Sequence, residues 1–262
     1  MTGGLRLARD GAVARVSLSR PEVHNAFDAA LIHDLTATFN ALAAEPADAL
    51  RAVVLAGDGK TFSAGADVDW MRASMTLGLE ENAADAARMA AMFSAIDGCP
   101  APVIARVHGA ALGGGMGLCA VADIVLASAD ATFGFTETRL GLLPAVISPF
   151  VLAKIGESHA RALFPSGARF GAERARQIGL VHEVLVDVAA LDARLDAVIA
   201  ELLAAGPTAA RAAKALIRDL RTLSAADARA HTVRHIAQQR TSPEGQEGLS
   251  AFLEKRPPSW NA

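Results

Sequence analysis

Two cysteines, Cys99 and Cys119, are all the sequence holds, with no CxxC pair and no disulfide framework, so a reduced compartment is expected. Long apolar runs are missing too. The longest uncharged stretches, Gly109–Ala122 and Leu140–Ala153, reach 14 residues each and are broken by glycine or proline, too short for a bilayer. The N-terminal MTGGLRLARDG lacks the apolar stretch of a secretory signal, which makes a cytoplasmic protein without a membrane partner the expectation. No charge of one sign prevails: 25 basic against 28 acidic residues give a net charge of −3 and no general attraction for nucleic acid. Lysine is scarce. Apart from Lys60, Lys154, Lys214 and Lys255 every base is arginine, a bias that coding composition explains as readily as phosphate recognition. There is no GxSxG elbow and no Walker A motif, and the cluster Gly113-Gly114-Gly115-Met116-Gly117 has Leu118 where a dinucleotide fingerprint needs glycine.

What is present is apolar: 52% hydrophobic against 20% charged over 262 residues, enough for a substantial core and for subunit contacts that absorb the excess. Short β-branched runs at Ala12–Ser19, Ala52–Ala56, Val103–Val107 and Asp123–Ala127 read as strands. Between them lie helical patterns, clearest over Asp28–Ala44, where Leu31, Leu35, Phe39 and Leu42 recur behind Asp28 as N-cap. Strand alternating with helix is α/β order. From Asp187 the composition turns to alanine, leucine and arginine, with helices expected over Ala189–Ala205, Thr208–Leu223, Ala225–Gln239 and Pro243–Lys255. The division expected is an α/β core over 1–186 and a helical C-terminal section over 187–262.

Two kinds of candidate site follow. His231 and His235 stand four apart on an expected helix, but HTVRH lacks the glutamate of HExxH and no third ligand is evident. A solvent-facing pair and no metal is the reading. By contrast, FSAGAD (Phe62–Asp67), VHGAALGGGMGL (Val107–Leu118) and FGFTETRLGLLP (Phe133–Pro144) each place small residues where backbone must approach something closely. The glycine cluster is expected to open a short buried helix whose first amides are unpaired and favour developing negative charge. One amide from it and one from SAGAD, converging on a carbonyl oxygen, would stabilise an enolate. Tight packing of helix on strand is the competing explanation.

Together with LSRPEVHNAFD (Leu18–Asp28), FGAERARQIGLVHEV (Phe170–Val184) and SPEGQEGLSAFLEKRPPSW (Ser242–Trp260), these segments, in order along nearly the whole chain, resemble the enoyl-CoA hydratase/isomerase (crotonase) family. The resemblance implies a coiled βαβ spiral core and assembly as a homotrimer or dimer of trimers through the helical section. It implies an acyl-CoA thioester as substrate, with no cofactor besides. The amides of Ala66 and Gly114 would form the oxyanion hole, flanked by Gly65, Asp67, Gly113 and Gly117. Ala64 and the turn Glu22-Val23-His24 would line the adenine and ribose end, and Phe252 and Lys255 would lie near CoA across a subunit boundary. Val23 replaces the family's usual basic residue after RPE, so Arg20 or Arg15 is left to meet the phosphates. Asp67 also reads as a helix N-cap.

Hydratases of this family usually hold water between two glutamates. Glu137 matches the second; the first position is Gly117, and glycine cannot transfer protons. Glu137 lies among Phe133, Phe135, Leu140 and Leu142, which predicts a desolvated carboxyl with a raised pKa. Hydration of an enoyl-CoA remains the expectation, because PAVISPFV (Pro144–Val151) resembles a branch acting on branched, carboxylated substrates such as 3-methylglutaconyl-CoA, with Arg139 and Arg72 as candidates for the carboxylate. Double-bond isomerisation by Glu137 as sole base is the direct alternative. A non-catalytic acyl-CoA-binding relative is the other; RNA binding gains nothing from the charge.

Overall fold

A computed structural model describes residues 3–261. The chain opens on a hairpin of β1 (Leu5–Asp10) and β2 (Val13–Leu18), crosses α1 (Ala29–Ala43), and returns as β3 (Ala52–Gly57). Helices α2 (Val68–Ser74) and α3 (Leu79–Asp97) lead to β4 (Val103–Val107) and the short β5 (Ala110–Leu112). Then come α4 (Gly114–Val121), β6 (Ile124–Ser128), β7 (Thr132–Gly134), α5 (Ser148–Leu163), β8 (Arg169–Gly171), α6 (Ala172–Gln177) and β9 (Glu183–Leu185). Four helices close the chain: α7 (Val188–Ala204), α8 (Pro207–Leu220), α9 (Ala225–Thr241) and α10 (Pro243–Glu254). The main sheet runs β1-β2-β3-β4-β6-β9, parallel except for the first hairpin, and β5-β7-β8 form a second small sheet. This is the expected α/β spiral. The strand expectations hold to within a residue, but β1 and the three-residue strands are additions, too short or too polar to show a period.

β3 shows how the layers are set. Its side chains alternate between two cores: Val53 and Leu55 join Phe39, Phe93 and Met116 on one face, while Ala52 and Val54 join Leu191, Leu195, Val198 and Ile199 of α7 on the other. Burial on both faces is why AVVLA is an unbroken apolar run rather than an alternating one. α1 begins where expected, with the Asp28 carboxylate accepting from the Leu31 N–H at 2.7 Å, and buries Leu31, Ile32, Leu35, Phe39 and Leu42. α4 is buried on every side. The Lys154 ammonium, from α5, caps its last carbonyls at Cys119 (3.1 Å) and Ala122, and burial pushes that ammonium down to about 8. Both cysteines are buried and unpaired. Among the described residues no helix is long and apolar enough to cross a membrane.

Candidate active site

The FSAGAD segment is stitched on both sides. Ser63 bridges Ala111 of β5, its N–H donating to the Ala110 carbonyl at 3.0 Å while the Leu112 N–H donates back to the Ser63 carbonyl at 3.0 Å. On the other side Phe27 donates to the Gly65 carbonyl at 2.6 Å and accepts from the Asp67 N–H at 2.8 Å. That parallel bridge uses the groups on either side of Ala66, so the Ala66 N–H points away from Phe27. Gly65 has φ +89°, and a Cβ there would sit 2.7 Å from the Leu112 carbonyl oxygen and 3.1 Å from the Gly114 nitrogen. Only glycine lets the two segments approach this closely.

The second segment turns at Gly113, whose N–H donates to the Gly134 carbonyl at 2.9 Å, and α4 starts at Gly114. A Cβ on Gly114 would lie 2.5 Å from Phe27 Cε2, so backbone and ring are in contact here as well. Among the described residues neither the Ala66 nor the Gly114 N–H has an acceptor. Two unsatisfied donors side by side, one of them a helix start, favour an oxygen carrying negative charge.

Glu137 reaches the same place from the 3-10 turn Thr136–Leu140 after β7. Its Oε1 stands 3.5 Å from where a Gly113 Cβ would be, and its Oε2 is buried with no hydrogen-bond partner among the described residues. Burial pushes this carboxyl above the ordinary glutamate value, only partly offset by a backbone hydrogen bond. A cavity of about 320 Å³ joins Glu137 to Ala64, Ala66, Gly113 and Gly114, and its walls are otherwise mainly apolar, from Trp70, Met89, Leu143 and Ile147. Two polar side chains of α3 also line it, Asn82 and Asp85. Asp85 is buried and ion-paired with Arg88. Sequence reasoning missed it, although a carboxylate eight residues before buried Phe93, on the inward face of a helix, was a signal that could have been used. Another cavity, about 350 Å³ between Cys99 and Ile217, is lined by four cations: Lys214 pairs with Asp123 at 2.6 Å and Arg211 donates to three carbonyls, while Arg218 and Arg221 stand beside them.

Not all of the expected residues line this cavity. Gly117 lies outside the cavity: a Cβ there would be 2.4 Å from Ile147 Cγ2 and 2.7 Å from Phe93, so two apolar side chains fill the space a glutamate would need. Asp67 caps α2 by accepting from the Asp69 N–H at 2.8 Å, as its N-cap reading expects, and pairs with Arg20 at 3.0 Å. Arg20 in turn also holds Asp28 at 3.1 Å and the Ala26 carbonyl at 2.7 Å, and Arg15 pairs with Asp10 and Asp196, so neither is free for phosphates. Arg72, paired with Asp69, and Arg139, exposed, do not line the cavity. Glu22, Val23 and His24 lie outside it, but the His24 carbonyl accepts from the Ala64 N–H at 3.0 Å, tying that turn to the rim. Phe252, 80% exposed, and Lys255 stand on α10 and at its C-terminus, and the expectation for them concerns a neighbouring subunit's CoA rather than this chain's own cavity. His231 and His235 are half-buried rather than solvent-facing, and Asp219 of α8 joins them.

Comparison with known proteins agrees with this geometry. The model of the enoyl-CoA hydratase/isomerase family matches residues 8–262. A putative enoyl-CoA hydratase of Thermus thermophilus is 34% identical over 95% of this chain and 97% of its own length. A probable enoyl-CoA hydratase of Rhodobacter capsulatus is 36% identical over 94% and 93%. Among solved structures, an enoyl-CoA hydratase from Shewanella pealeana superposes with a TM-score of 0.92 at 37% identity, covering 98% of this chain and 96% of that one. Pseudomonas aeruginosa AtuE gives 0.95 at 36%, covering 99% and 100%. With its spiral core and matches along nearly its full length, the chain belongs to the enoyl-CoA hydratase/isomerase family.

Proposed function

We propose that the protein is an acyl-CoA lyase that adds water to, or removes it from, the 2,3 double bond of an enoyl-CoA thioester. The observation that carries this reading is the Glu137 carboxyl, one oxygen of which is buried without a partner among the described residues, beside the Ala66 and Gly114 N–H groups that have no acceptor among them. The thioester oxygen accepts from both N–H groups, which act most strongly on the charge that develops there. As water adds through its oxygen to C3, the C2=C3 electrons move onto the thioester as an enolate. Glu137, kept protonated more readily by its burial, gives its proton to C2. The water's surplus proton passes to the Asp85 carboxylate, the second acidic group of the cavity, and solvent restores both groups. Asp85 thus takes over what Gly117 cannot do.

The acyl group supported best is apolar. Among the described residues the cavity lining holds no lysine or arginine, so a second carboxylate, as in 3-methylglutaconyl-CoA, finds no cationic partner within this chain. Exposed Ile217, Val233, Leu249, Phe252 and Leu253 on α8–α10 support a homotrimer or dimer of trimers, with copies of the same chain as the cover. The filled space at position 117 favours one other reading, isomerisation, in which Glu137 takes a proton from C2 of a 3-enoyl-CoA and returns it at C4.

One set of assays decides. The wild type is incubated with 2-enoyl- and 3-enoyl-CoA and the products are weighed and separated. A gain of one water is expected, lost in Glu137→Gln and strongly reduced in Asp85→Asn. An unchanged mass with a moved double bond, untouched by Asp85→Asn, replaces hydration with isomerisation; full turnover by Glu137→Gln overturns both.

A further inference from the structure

Outside the acyl-CoA cavity, one cluster of side chains has a chemistry of its own. His231 and His235 stand one turn apart on α9, their rings side by side with centroids 3.9 Å apart. The fold adds what the sequence did not show, a carboxylate from the last turn of α8: Asp219, His231 and His235 each offer a ligand atom within 4.8 Å of the others. We infer that Asp219, His231 and His235 form a binding site for a zinc-class divalent transition-metal ion that clamps the corner between α8 and α9.

The atoms are prepared for that role. The Nδ1 of His235 lies 2.9 Å from the His231 carbonyl, which can only accept, so Nδ1 carries the proton and the neutral ring keeps its lone pair on Nε2. A backbone carbonyl holding the far nitrogen is the usual outer support of a metal-binding imidazole. The Nε2 of His231 is buried, has no hydrogen-bond partner among the described residues, and stands 3.4 Å from Asp219 Oδ2. That separation suits two ligands on one tetrahedral ion, for which zinc bond lengths give an edge of about 3.4 Å. The other oxygen of Asp219 has only Arg218, at 3.9 Å. Two imidazoles and one carboxylate are a borderline donor set that selects zinc, cobalt, nickel or copper over magnesium or calcium, with water completing the shell. Gln239, four residues beyond His235 on the same helix, also buries an unpartnered side-chain amide nitrogen.

The test uses tag-free, EDTA-treated protein titrated with Co²⁺ and followed by visible absorption, then by Zn²⁺ displacement and calorimetry. One ion per chain with the intense absorption of four-coordinate cobalt is expected, abolished by Zn²⁺, and Zn²⁺ raises the thermal midpoint. His231→Gln/His235→Gln weakens binding at least about 100-fold. The conservative Asp219→Asn weakens it while keeping the fold, and the exposed His33→Gln leaves it unchanged. A pale six-coordinate spectrum like that of the ion in buffer, or binding by the double variant equal to that of the wild type, overturns the site and leaves a plain His231–Asp219 ion pair.

Discussion

Replacing Glu137 by glutamine trades activity for stability, and the size of the trade follows from the site. In the native chain one carboxyl oxygen of Glu137 is buried without a partner, and burial raises its pKa above the ordinary 4.5. Leaving such a group unsatisfied costs roughly 1–3 kcal/mol, more when it is charged. Glutamine has nearly the same shape but no charge to desolvate, so Glu137→Gln is expected to gain about 1 kcal/mol near pH 7, or about 2–4 °C in Tm for a chain of this size. The gain has a defined pH dependence. Between the ordinary and the raised pKa the native wild type holds more protons than its unfolded chain, so its stability falls as pH rises through that window. The advantage of the variant is therefore full above the raised pKa, shrinks as pH falls through it, and is gone below about 4.5. Thermal unfolding of both proteins from pH 4 to 8, beside turnover, is the measurement, and turnover should fall by at least about 100-fold. If Glu137→Gln is as stable as the wild type or less so at pH 7, or if its advantage grows toward low pH, the picture of an unpaired desolvated carboxyl is wrong.

Three further changes probe the scaffold. Gly117→Glu does not restore a second glutamate: the new side chain meets Ile147 and Phe93 at under 3 Å, and loss of stability by about 1–3 kcal/mol without gain in hydration is expected from chemical denaturation. Gly114→Ala drives a methyl into Phe27, displaces the N–H and should lower kcat by about 100-fold or more, read against an unchanged far-UV spectrum. Arg20→Met removes the ion-pair partner of Asp67, whose N-cap bonds remain, and should cost about 1–3 kcal/mol in urea unfolding, with a larger loss of CoA-thioester turnover than Arg6→Met, whose pair with Asp58 is exposed.

How far the sequence could be read depended on whether the information was local. α1 was legible because cap and apolar stripe lie within one helix, and β3 because a strand buried on both faces leaves an unbroken apolar run. Ala66, Gly114 and Glu137 were legible through short motifs, and the structure brings all three to one cavity. Asp85 was not, since its importance comes from α3 passing over a loop more than 50 residues further along the chain. Nor was Asp219, which meets His231 only because α8 and α9 fold back on each other. Arg20 and Asp67 looked available for ligand because their mutual pairing spans 47 positions. Side chains whose partners lie far along the chain were misjudged in both directions.

In the proposed reaction Ala66 and Gly114 contribute through their peptide groups, and this shapes what can vary around them. A donor made of main chain survives any side-chain change that leaves the path of the chain intact, so the attraction for a thioester oxygen is inherited with the fold itself. The acids and bases nearby are then free to be gained, lost or moved from one helix to another, and a lineage can change its reaction without rebuilding its grip on the substrate.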